Sequence, residues 1–189
     1  STLPLFAIAE LLRGDFGIEA ADAPKKARAK VSRRLSRLSK AFATSLPVVY
    51  EMLSVAEQDA PAIARTDAER RERMGAFLRH WVQAASASAP MVLLIDDLHW
   101  VDPESAALLA ELVDALAWTR TFLLASYRPE HDAPWLRGAH STRLALGPLA
   151  SEERRDLVRG LLGDDPSVAG WLERIDARAD GNPLFAEEI

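Results

Sequence analysis

The chain contains no cysteine in its 189 residues. That absence excludes disulfide stapling, thiolate zinc sites and cysteine nucleophiles together. No window reaches the ~18 uninterrupted apolar residues that a membrane span needs. The opening Ser1-Thr2-Leu3-Pro4-Leu5-Phe6 lacks the basic region and cleavage pattern of a secretory signal, so the expected location is the cytoplasm. A surplus of positive charge is missing too. The 23 basic and 28 acidic residues give a formal charge of −5, which argues against a wholesale nucleic-acid binder. His80, His99, His131 and His140 show no metal-ligand spacing, and neither H-E-x-x-H nor G-x-S-x-G occurs.

What is present is apolar material, 49% of the chain, enough for the core of one domain or one domain with a small appendage. Leu5, Ile8, Ala9, Leu11 and Leu12 form a short helical face closed by Gly14 and Gly17. Asp22 offers a cap to a helix from about Pro24 to Leu38, whose apolar positions Ala27, Val31, Leu35 and Leu38 step by three and four. Between Lys25 and Lys40 the segment carries Lys25, Lys26, Arg28, Lys30, Arg33, Arg34, Arg37 and Lys40, with no acid among them. Such a face either binds anions or is simply solvated, and no aromatic residue interleaves it as nucleic acid would favour. A Pro-broken patch (Leu46 to Val55) follows. Thr66-Asp67-Ala68-Glu69 reads as a capping box opening a helix with Met74, Phe77, Leu78, Trp81 and Val82 inside and ending at the Ser86 to Pro90 loop.

Met91 to Ile95 is five apolar residues without alternation, the pattern of a parallel strand covered on both faces. Asp102-Pro103-Glu104 starts a helix burying Leu108, Leu109, Leu112, Val113 and Leu116. Thr121 to Ser126 is a second buried strand, completing a βαβ unit. An alternating segment, Arg143-Leu144-Ala145-Leu146, comes third. Ser151-Glu152-Glu153 caps a helix with Leu157, Val158, Leu161 and Leu162 inside. Asp165-Pro166 opens another with Val168, Trp171, Leu172 and Ile175. The pattern predicts an α/β domain with a helical subdomain behind it, and ligands in such folds lie beyond the carboxyl ends of the strands.

That edge is where the first strand delivers Asp96 and Asp97. A carboxylate there suits magnesium, which takes oxygen ligands and keeps its waters. An adjacent acid can orient or deprotonate a water. A hydrophobic run followed by two acids is also compatible with a plain capped turn.

Asp96-Asp97-Leu98-His99-Trp100-Val101-Asp102-Pro103 resembles the Walker B region of the STAND class of P-loop ATPases. The resemblance continues in Ser126-Tyr127-Arg128-Pro129-Glu130-His131, in Leu144 to Leu149, and in Asp180-Gly181-Asn182-Pro183-Leu184-Phe185. Arg128 to Trp135 and Gly163 to Ser167 are similar to the module of multidomain class III adenylate/guanylate cyclase-type proteins. LuxR-type, MalT-like regulators carry a similar module. The resemblance implies an incomplete P-loop NTPase parallel sheet with covering helices, followed by a helical subdomain. It implies ATP and Mg²⁺ as cofactors. Asp96 would hold magnesium, Asp97 would activate the attacking water, Arg128 would contact the γ-phosphate, and Pro183 of the GxP element would pack near adenine. His99, Trp100 and Asp102 are expected to pack or brace the turn.

The pattern departs from the family in one place: no G-x-x-x-x-G-K-[ST] occurs. The expected organisation is therefore a mainly helical segment following the P-loop (1–88), a sheet core with Walker B and sensor strands (89–149), and a helical subdomain (150–189). Ser1 and the helix begun near Leu184 read as cuts in a longer polypeptide. The expected partners are nucleotide and fused effector and helical-repeat sensor domains. No membrane is expected to be among them, and direct nucleic-acid binding is not expected. A non-catalytic interaction scaffold is the competing reading.

Overall fold

Glycine, proline and short polar caps divide the chain into its elements. The computed structural model describes residues 4–60, 63–138, 140–163, 170, 174–175 and 181–188. They fall into two units divided between Thr142 and Arg143.

In the first unit, helix α1 (Phe6–Phe16) passes through Gly14 and ends at Gly17, whose φ of 62° lets the Ile18 N–H reach back to Arg13 O at 2.9 Å. This is the glycine-dependent C-terminal closure of a helix. Helix α2 (Pro24–Leu38) starts on Pro24 with Ala23, not Asp22, in the cap position. Asp22 instead accepts the Glu19 N–H at 3.0 Å and pairs with Lys26 at 2.7 Å and Lys30 at 2.6 Å. Those two ammonium groups hold its carboxyl well below the usual carboxylate range. Arg28 pairs with Glu57 and Arg34 with Asp15, so half of the eight cations of this stretch are engaged within the fold. A 3₁₀ stretch (Lys40–Ser45) leads to α3 (Leu46–Met52).

Helix α4 (Asp67–Ser88) is capped by Thr66 Oγ1, which accepts the Glu69 N–H at 3.1 Å. Glu69 reaches back one residue further than a capping box requires, to the Arg65 N–H at 2.9 Å. The helix continues through Ser86, Ala87 and Ser88, leaving only Ala89 and Pro90 as the loop. Strand β1 (Met91–Ile95), helix α5 (Pro103–Leu116) and strand β2 (Thr121–Ala125) then form a βαβ unit. The strands pair in parallel, Met91 with Thr121 through Ile95 with Ala125.

One core joins these elements. Ile8 and Leu12 of α1, Val31 and Leu35 of α2, Phe77, Leu78 and Trp81 of α4, Leu93 and Ile95 of β1, and Leu108, Leu109 and Leu112 of α5 are all buried in it. The Trp81 Nε1–H donates to Asp15 Oδ2 at 2.9 Å. Burying tryptophan thus leaves no orphaned donor.

The sheet departs from expectation on one face. Val92 and Leu94 are 71% and 63% exposed, and their register partners Phe122 and Leu124 are 62% and 52% exposed. Leu93 and Ile95, one residue out of phase, are buried. The unbroken apolar pattern anticipated two covering layers; the helices of residues 4–138 supply one.

In the second unit, Arg143 to Leu146 forms no strand, and Leu144 and Leu146 are exposed. Alternation needs a ladder partner to become a strand, and no strand among the described residues runs beside it. Helix α6 (Ser151–Leu162) has Ala150 as its cap residue, and the Ala150 N–H donates to Glu153 Oε2 at 2.8 Å. Ser151 is therefore the first helical residue and not the cap. Val158 is buried with Ile175, whereas Leu161 and Leu162 are exposed. The anticipated start at Asp165-Pro166, with Val168, Trp171 and Leu172, lies outside the described residues. Gly181 has φ of 81°, and its carbonyl accepts the Leu149 N–H at 2.9 Å. Asn182 Oδ1 accepts the Leu184 N–H at 3.0 Å and so opens helix α7 (Pro183–Glu188). No helix among the described residues is long and apolar enough to cross a membrane.

Candidate functional site

β1 releases the chain at Ile95, and Asp96 and Asp97 emerge at the carboxyl edge of the sheet. β2 ends in register at Ala125, which brings Ser126 beside them. Ser126 Oγ donates a short hydrogen bond to Asp96 Oδ1 and accepts the Asp97 N–H at 2.9 Å. The Asp97 N–H also lies 3.1 Å from Asp96 Oδ1. Two main-chain bonds close the junction: Ser126 N–H to Ile95 O at 3.0 Å and Leu98 N–H to Ser126 O at 2.9 Å.

Asp97 is left-handed, with φ 52° and ψ 43°. A short polar side chain adopts this region more readily than most, yet it remains an uncommon conformation. It turns the chain into a 3₁₀ turn (Leu98–Trp100) that buries Leu98 and leaves Trp100 exposed. The His99 ring lies 5.2 Å from the Trp100 ring. Asp102 is buried and caps α5, its Oδ1 accepting the Ser105 N–H at 2.8 Å and the Leu5 N–H at 3.2 Å. Burial pushes the Asp102 carboxyl up, but the polar groups of Ser105 and the Leu5 N–H outweigh it, and the net effect is downward.

A cleft of about 430 Å³ opens at this edge, lined by Phe6 and Leu11 of α1 and by Leu94, Asp96, Asp97 and Trp100. It is an apolar hollow with the exposed carboxylates of Glu10, Asp96 and Asp97 on its rim. One oxygen of Asp96 is occupied by Ser126 and Asp97; the second has no hydrogen-bond partner among the described residues. No group of three or more metal-ligating side chains exists among those residues. That donor set fits magnesium bound through one carboxylate, waters and phosphate oxygens better than an ion caged by protein alone.

The structure thus brings Asp96 and Asp97 together. It places Arg128, exposed, two residues beyond Ser126. Pro183 is the exposed first residue of α7, in the second unit. Sequence reasoning gave Ser126 no role. The readable signal was a hydroxyl in the first position after the second strand, in register with the first acid.

Residues 1–124 match the family model described as AAA ATPase domain. The chain belongs to this family. The matched AAA ATPase region includes β1, Asp96, Asp97 and α5 and stops before Arg128 and Pro183. An AAA ATPase domain is an ATP-binding module of the P-loop class. The α-helices and two-stranded parallel sheet are consistent with an incomplete α/β fold of that class. An uncharacterized protein of Rhizobium meliloti (strain 1021) is 35% identical over 124 residues, which cover 63% of this chain and 12% of the relative. No solved structure matches the chain.

Proposed function

We propose that the chain is the ATP-binding and ATPase switch module of a bacterial multidomain signalling protein of the STAND class, linked to a class III nucleotide cyclase. The observation that carries this reading is the Asp96–Asp97 pair, pinned by Ser126 at the sheet's carboxyl edge and open to the cleft. Asp96 holds magnesium in this reading, and magnesium when bound neutralises charge on the phosphate oxygens. Asp97 orients the attacking water. Arg128 supplies a fork of donors matched to the γ-phosphate, and Pro183 packs near adenine. The parts are a helical segment (1–88), a sheet core (89–149) and a helical subdomain (150–189). Nucleotide state sets the position of the subdomain, and the output comes from fused effector and sensor domains.

The phosphate-binding loop, with its strand and helix, precedes this segment in the complete protein. The uncovered face of Val92, Leu94, Phe122 and Leu124 supports that placement, because a P-loop sheet is covered by helices on both faces. A second reading is a non-catalytic interaction scaffold that keeps the fold without the nucleotide. The same module in a LuxR-type regulator differs only in its fused domains.

Calorimetry with magnesium-ATP tests the reading. The 189-residue chain is expected to bind weakly or not at all, and an N-terminally extended polypeptide carrying a P-loop is expected to bind. Tight binding by the chain alone overturns the assigned place of the loop. No binding by the extended polypeptide favours the scaffold.

A further inference from the structure

His99, in the turn after β1, is a polar side chain with neither ring nitrogen paired. Its side chain is 13% exposed. Both ring nitrogens are shielded from solvent and have no hydrogen-bond partner among the described residues. A neutral imidazole carries one donor and one acceptor, and leaving both unpaired in the interior is costly. Packing alone would favour an apolar ring here. The Trp100 ring, 5.2 Å away at 43°, limits the freedom of the imidazole.

Beside it, Asp97 is held by its backbone only. Its N–H is engaged by Asp96 and Ser126, and its left-handed φ of 52° sets the direction of the Cα–Cβ bond. The carboxylate is 65% exposed, and its Oδ1 lies 3.8 Å from His99 Nδ1. That is roughly 1 Å longer than a hydrogen bond to a carboxylate. Rotation about the Asp97 side-chain bonds can change this distance without moving the backbone.

We infer that His99 is the positioning residue for Asp97: its shielded Nδ1–H is the donor that holds the Asp97 carboxylate in the orientation used on the attacking water. This rests on the ATPase reading for its catalytic half and on geometry for the pairing. The pairing gives Nδ1 a partner. It also restricts a carboxylate whose usefulness as a base depends on where its free oxygen points.

Two measurements test it. In the 189-residue chain, long-range ¹⁵N–¹H spectra of His99 are expected to show the neutral ring protonated on Nδ1, with its resonances displaced in Asp97→Ala. A proton on Nε2 alone, or spectra unmoved by Asp97→Ala, overturns the pairing. In an ATP-hydrolysing polypeptide carrying this segment, His99→Gln is expected to lower kcat roughly ten- to hundredfold with KM unchanged. His99→Asn, whose amide N–H falls near the Nδ1 position, is expected to restore at least about a third of kcat. Equal behaviour of the two variants, or a change in KM alone, overturns the positioning role. Asp97→Asn with unchanged turnover removes the role assigned to Asp97 on the attacking water and with it the catalytic half of the inference; the spectra then decide the pairing by themselves.

Discussion

The Leu5 N–H donates to Asp102 Oδ1 at 3.2 Å, joining positions 97 residues apart in the chain. Leu5 is itself left-handed, with φ of 62°, at the entry to α1. One carboxylate oxygen therefore caps α5 through Ser105 and holds the chain as it enters α1, and both α1 and Asp102 itself border the cleft. Asp102→Ala leaves two N–H groups without their acceptor and is expected to cost about 1–3 kcal/mol in urea unfolding. Asp102→Asn keeps one acceptor oxygen and should cost less.

The same carboxyl makes stability depend on pH. Its pKa in the folded chain lies below the ordinary value of 3.8. The stabilisation is therefore complete above that value and is lost as pH falls through the lower folded pKa. Unfolding curves between pH 7 and pH 3 should show a smaller acid loss in Asp102→Asn than in the unsubstituted chain. Equal acid losses would remove Asp102 from the linkage.

Asp15 joins three helices, accepting from Trp81 Nε1 at 2.9 Å and from two nitrogens of Arg34. Trp81 is fully buried. Asp15→Ala strands a buried indole N–H and breaks the ion pair, and about 2–3 kcal/mol should be lost. Asp15→Asn keeps an acceptor for the indole and should lie between. Urea titration followed by tryptophan fluorescence reads both.

Asp97 should respond to backbone preference as well as to charge. At φ 52°, Asp97→Asn and Asp97→Gly are expected to leave stability within about 0.5 kcal/mol, because both residues enter the left-handed region readily. Asp97→Val, β-branched, should cost about 1–2 kcal/mol. Thermal unfolding that ranks valine equal to asparagine would show that the turn does not need this conformation.

Gly181 is confined by conformation and by space. Its φ is 81°, and a Cβ there would lie 2.5 Å from Pro148 Cβ and 3.3 Å from Pro148 Cα. Gly181→Ala should therefore weaken the second unit by at least about 1–2 kcal/mol. Hydrogen exchange should quicken at the Leu149 N–H, which bonds to Gly181 O, and remain unchanged in β1 and α5.

Much of the first unit was legible in the sequence. The apolar positions of α2 and α4, the Thr66 cap, the Asp102-Pro103 start and both strands follow from periodicity and capping chemistry within a few residues of each other. Asp22 was misjudged because a carboxylate two residues before Pro24 has the composition of a cap; Lys26 and Lys30, one and two turns along α2, draw it into ion pairs. Arg143 to Leu146 was misjudged because alternation specifies a face but not a ladder partner. Of the site, the two acids were legible from their place after a buried strand. Ser126 was not, because its role depends on the parallel register of β1 and β2.

By itself, the sequence determined the type and order of the elements and the chemistry of the carboxyl edge, since both rest on local periodicity, capping and residue type. Only the tertiary structure decided which polar groups meet: Leu5 with Asp102, Trp81 with Asp15, and Ser126 with Asp96 and Asp97. It also decided that the helices of the first unit cover only one face of the sheet. Hydrogen bonds act over about 3 Å, and the residues that come that close are separated by 97, 66 and 30 positions in the chain. No local pattern encodes such distances; packing sets them.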